Sequence, residues 1–180
     1  MARLLIRLKK GRDGPHSLVC TRADGSSTLQ RHPKAFFPFH DLTHYAVESV
    51  LDYRRAFYGL VAGGWDLQDF GEPWPRGRLP ADLDPADLIV GQLDLERATG
   101  ERRIADEFNV LIAAWYAEHA PAAPIPAALT DAQLARIRQV AAGLHAQWRE
   151  TRPGETLELE IFAEDGSGNE ENAGEREEAV

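Results

Sequence analysis

A single cysteine, Cys20, is all that this chain of 180 residues carries, which excludes an internal disulfide and any cysteine-based zinc ribbon or finger. No apolar run approaches the roughly 18 residues needed to cross a bilayer, so a transmembrane helix is excluded and no membrane partner is expected. The stretch from Met1 to Lys10 is broken by Arg3, Arg7 and Lys9 too early for a secretory signal. A reducing, bacterial-type cytoplasm is therefore the expected location. Surplus basic charge is missing too: the net charge is −9. Duplex nucleic acid is thereby disfavoured as a partner, because neutralising phosphates requires a basic face. There is no Gly-x-Ser-x-Gly elbow, no phosphate-cradling P-loop and no dinucleotide fingerprint.

What is present is enough for a core. Hydrophobic residues make up 43% of the chain and aromatics 8%, ordinary for a globular protein and too rich for a disordered one. The acidity is uneven. Residues 164–180 hold seven acids and one arginine, and they lack apolar periodicity that could offset the entropy of ordering them. The reading is a single α+β domain over 1–163 followed by an acidic disordered tail over 164–180.

Periodicity sets the elements. Ala2, Leu4, Ile6 and Leu8 alternate with Arg3, Arg7 and Lys9, the pattern of a half-buried strand. Ser17–Arg22 and Ser27–His32 read as two further strands joined by an Asp24-Gly25 hairpin turn. From Pro38 to Leu60 apolar residues recur at helical spacing, with Phe39, Leu42, Ala46, Val50, Tyr53, Phe57 and Leu60 in one stripe that closes at Gly63-Gly64. A second helix is expected from Asp84-Pro85 to about Thr99 and a third over roughly Ile104–His119. Thr130-Asp131-Ala132-Gln133 is a capping box that opens a fourth. Alternation returns over Glu155–Ala163, a fourth strand whose Glu158 and Glu160 complement the bases of the first. Strands, then helices, then a strand, with no βαβ alternation, predict an α+β fold: an antiparallel sheet of about four strands packed with about four helices.

The chemistry gathers at Phe36-Phe37-Pro38-Phe39-His40-Asp41-Leu42-Thr43-His44-Tyr45-Ala46-Val47-Glu48. His40, His44 and Glu48 follow one another at four-residue spacing, so successive side chains stand one turn apart on nearly the same helix face. Two imidazoles so placed can reach one divalent metal, zinc first among candidates, and a carboxylate would complete the site. Glu48 is the first choice for that ligand by sequence proximity. Asp94, Glu96, Asp106 and Glu107 gather around the junction of the second and third helices, and Glu107, beside Phe108, is the second choice. Asp41 points about 100° away from His40 and is assigned proton handling or orientation of a histidine. Equally open is a pair of structural histidines bonded near a helix start. Other features carry less. Gly63-Gly64-Trp65 with Asp66 and Asp69 could rim a pocket, while His119 and His145 read as structural or exposed.

His40-Asp41-Leu42-Thr43-His44 resembles the His-Asp-x-x-His signature of the zinc-dependent proteins of ubiquinone biosynthesis, although the glutamate that completes that signature falls on Ala56. The longer run Phe37-Pro38-Phe39-His40-Asp41-Leu42-Thr43-His44-Tyr45-Ala46-Val47-Glu48, with Phe57–Ala62 and Gly64-Trp65-Asp66, resembles an uncharacterised family of small bacterial proteins. The first resemblance implies zinc; the second implies a bacterial source. Two functional classes follow: a metal-dependent hydrolase or lyase acting on a small molecule, and a non-catalytic binding or regulatory module.

Overall fold

The computed structural model describes residues 3–32, 34, 36–80 and 82–162. The tail expected over 164–180 lies outside them. Alternation turns Leu4, Ile6 and Leu8 of β1 (Leu4–Lys9) to one side of the sheet, where all three are fully buried, each contributing about 1.5–3 kcal/mol of transfer free energy. β1 pairs on one edge with β2 (His16–Arg22) and on the other with β4 (Thr156–Ile161), while β3 (Ser27–His32) lies beyond β2. The order is β3-β2-β1-β4, antiparallel throughout. The first and last strands are thus neighbours, as their complementary charges suggested. Arg7 Nε donates to Glu158 Oε1 at 2.8 Å and Arg3 pairs with Glu160 at 2.6 Å. Lys9, by contrast, stands opposite Thr156.

Five helices follow among the described residues: α1 (Phe36–Leu51), α2 (Phe57–Ala62), α3 (Ala86–Thr99), α4 (Ala105–His119) and α5 (Asp131–Glu150); α1, α2 and α5 pack on the inner face of the sheet. The α+β class with a four-stranded antiparallel sheet therefore stands. α1 is the central helix, packed against both α3 and α5. Leu42 meets the sheet core with Tyr58, Val61, Leu144 and Trp148, and Val47 joins Ile89, Phe108, Leu134 and Ile137 in a second cluster among the helices. The Thr130 box caps α5 as read, with Gln133 N–H bonded to Thr130 Oγ1 at 3.2 Å.

One helix boundary is corrected. The stripe expected to run unbroken from Pro38 to Leu60 is two helices, α1 and α2, separated at Asp52, whose φ is 52°. No proline or glycine marks the break. Its cause is tertiary: the Glu48 carboxylate accepts the backbone N–H groups of Tyr58 at 2.9 Å and Gly59 at 3.1 Å, anchoring the start of α2 beneath α1. A Cβ at position 59 would stand 2.2 Å from the Arg54 carbonyl oxygen, so glycine is what lets the returning chain approach this closely. At the start of α3, Asp84 lies where a capping acid was expected, but its side chain accepts from Arg55 N–H at 2.7 Å.

Candidate functional site

Because α1 is flanked on both sides, the face carrying Asp41, His44 and Glu48 is buried. His40 and His44, expected on nearly the same helix face, differ in burial: the His44 side chain is 3% exposed, that of His40 32%. Both open onto a cleft of about 540 Å³ between α1, the start of α3 and the segment after α2. A third histidine, His32 at the end of β3, lines the same cleft, as do Asp41 and Asp87. Phe37, Phe57 and Phe70 supply apolar wall.

Each histidine faces a carboxylate. His40 Nδ1 lies 2.7 Å from Asp94 Oδ2, and Asp94 Oδ1 accepts from Arg97 Nη2 at 3.1 Å. Burial works to raise the Asp94 carboxyl, but His40 and Arg97 outweigh it and hold it below the usual carboxylate range. His44 Nδ1 is 3.4 Å from Glu48 Oε1, and its Nε2 is 3.3 Å from Asp87 Oδ1. Burial disfavours a charged His44, yet Glu48 and Asp87 prevail and raise its affinity for a proton. Burial also raises Glu48, against its bonds to His44 and to the two backbone N–H groups. Both members of the His44–Glu48 pair are thus shifted toward holding a proton. His32 Nε2 stands 2.8 Å from Asp41 Oδ2 in an ion-pair contact without a directed hydrogen bond, and the His32 ring stacks on Phe37 with centroids 5.0 Å apart.

The expected residues are only partly brought together. His40 and His44 are adjacent, their ring centroids 4.8 Å apart and edge to face, with Asp41 on the same cleft. Glu48 does not line it; its oxygens are turned to α2 and to the far nitrogen of His44. Glu107 is exposed and accepts the Ile104 N–H at 2.9 Å, closing the first turn of α4. Two participants went unread. His32 ends a strand with nothing to mark it, and Asp87 is one acid in a helix's first turn, where it ordinarily complements the helix dipole. Asp94 had been grouped with possible ligands; it is the partner of His40. Of the loop aromatics, Phe70 reaches the cleft and Trp65 does not.

No known family, curated protein or solved structure matches the chain.

The cleft lining contains no serine, threonine or cysteine, so no hydroxyl or thiol nucleophile faces it among the described residues. Cys20 lies buried under the sheet, where burial pushes its thiol far above the ordinary range. What the cleft offers is proton transfer and imidazole lone pairs. Among the described residues no three His, Cys, Asp or Glu side chains already converge as a metal-holding group.

Proposed function

We propose that this cleft holds a divalent metal, zinc first, and that the chain is a metal-dependent hydrolase or lyase of a small molecule. One observation carries the reading: His40 bonds Asp94 through Nδ1 at 2.7 Å, and His44 turns Nδ1 toward Glu48 at 3.4 Å without a directed hydrogen bond. Metal-binding histidines are typically oriented in this way, with the other nitrogen left to the ion. The ligands proposed are Nε2 of His40, Nε2 of His44 and a carboxylate oxygen of Asp87. The 3.3 Å between His44 Nε2 and Asp87 Oδ1 matches the edge, about 3.3 Å, of a tetrahedron with zinc–ligand distances near 2.0–2.1 Å. Closing the set requires adjustment of His40 and of Asp87, whose side chain is 72% exposed. Asp87 thus takes the place first given to Glu48, which instead orients His44.

Bound there, such an ion would supply Lewis acidity and lower the pKa of a coordinated water. The chain's own groups do the rest. Asp94, itself gripped by Arg97, fixes the ring and tautomer of His40. Asp41, in contact with His32 on the cleft wall, is the group assigned to accept or return a proton. Phe37, Phe57 and Phe70 limit the access of water.

Elemental analysis of the native chain tests the reading. About one equivalent of metal is expected, reduced several-fold or more in His40→Ala and Asp87→Asn. Metal-free native protein that also fails to take up added zinc would overturn it. A second reading, a non-catalytic binding module, is favoured by the near-complete burial of His32 and His44 against acids, and it would then stand.

A further inference from the structure

A larger cavity, about 680 Å³, opens beside the cleft, between α4 and the chain that leads into α3. Glu72, Leu79 and Asp87 line both spaces, so the two adjoin across these side chains. The second cavity is aromatic. Trp115 is half-buried, and its ring is braced by His119, the planes 11° apart and the centroids 4.9 Å apart. The brace is fixed because His119 Nδ1–H donates to the Trp115 carbonyl at 3.0 Å. Trp74 and Tyr116 add further aromatic surface. The Tyr116 hydroxyl is occupied in donating to the Leu83 carbonyl, which leaves the apolar part of the ring to the cavity.

Charge in this cavity is lopsided. Glu72, Asp84 and Asp87 face one arginine, Arg78. Asp84 spends one oxygen on the Arg55 N–H, whereas Glu72 is exposed at the boundary of the two spaces. Flat aromatic surface beneath a carboxylate majority favours a flat apolar body bearing a positive charge, through ring contact, cation–π attraction and ion pairing. An anionic ligand would meet repulsion from three acids.

We infer that this cavity binds an arylalkylamine-type ligand, its ring against Trp115 and Trp74 and its ammonium group toward Glu72. The cavity as a binding site rests on its own lining; that it delivers the reactive end of a substrate past Asp87 to the cleft rests on the metal reading above.

Calorimetric titration of the full chain with phenethylamine, 2-phenylethanol and 3-phenylpropanoate tests this, before and after treatment with a chelator. Phenethylamine is expected to bind at least about tenfold more tightly than the alcohol, with the carboxylate weakest. Trp115→Leu and Glu72→Gln, each checked for native circular dichroism, are expected to weaken amine binding at least about tenfold and severalfold respectively. Should the alcohol bind as well as the amine, or both variants bind like the parent, the inference is overturned. Amine binding by a native chain that neither holds metal nor takes up added zinc would leave the cavity standing and remove the metal reading. Stoichiometric metal without amine binding would do the reverse.

Discussion

Glu48 has no exposed surface, yet it bonds two backbone N–H groups and faces an imidazole. Removing one partner of a buried pair leaves the other uncompensated, so Glu48→Ala is expected to cost about 3–5 kcal/mol. Glu48→Gln, which keeps an acceptor for α2, should cost about 1–3 kcal/mol. Urea midpoints read both, and a loss below about 0.5 kcal/mol for the alanine variant would show that the carboxylate does not anchor α2. His145 acts in the opposite electrostatic sense. It is buried with Nε2 3.0 Å from the Phe39 carbonyl, and burial lowers its proton affinity from the ordinary 6.5. The unfolded chain then binds the proton more readily. Its contribution is complete above about pH 6.5 and declines as pH falls toward the lower folded value. Replacing His145 by Gln should flatten that acid-side decline in stability measured from pH 7 to pH 5; an unchanged slope would assign the decline to other groups.

Among elements, the break between α1 and α2 and the pairing of β1 with β4 are the two events that shape the molecule. The first depends on glycine at 59: Gly59→Ala would press a methyl group onto the Arg54 carbonyl and should cost about 1–3 kcal/mol. A neutral result would mean that the α1–α2 connection yields without loss. In the second, Arg7 opposite Glu158 is an exposed cross-strand pair worth only about 0.2–1 kcal/mol. It biases register rather than holding the sheet, whose stability comes from the aliphatic side of β1 buried beneath α5 and α2. Lys10 adds a tie between the layers, donating to the carbonyls of Trp148 at 2.8 Å and Thr151 at 2.9 Å where α5 ends. A cation belongs there, because the C-terminal carbonyls of a helix carry negative partial charge.

At the scale of the whole molecule, any ion that binds only the folded chain must stabilise it. Zinc at about 100 times its dissociation constant should add about 2.7 kcal/mol to folding stability. A thermal scan with and without zinc reads this as a rise in the midpoint, reversed by chelator and lost in Asp87→Asn. An identical midpoint in both conditions would count against the site. The larger aromatic cavity lies on the same side as the cleft through their shared residues, so α3 and the chain leading into it serve both. No helix among the described residues is long and apolar enough to cross a membrane.

Local periodicity and turn chemistry were sufficient for the α+β class, the four strands and the helix opened by the Thr130 box, since alternation and helical spacing report directly which face of an element leaves water. The proximity of His40 and His44 was legible for the same reason, as both lie on one helix. Their partners were not. Asp94 lies 54 positions from His40, and Asp87 and His32 reach the cleft from other elements. Nothing in a linear pattern distinguishes such an acid from a solvated helix charge. The end of α1 was hidden likewise, because a buried carboxylate rather than a glycine or proline receives the first N–H groups of α2. Periodic patterning was enough for the strands, the later helices and their apolar faces; the packing of other elements around α1 decided where it ends and which polar groups became buried neighbours, because such contacts depend on distances between elements that no single element encodes.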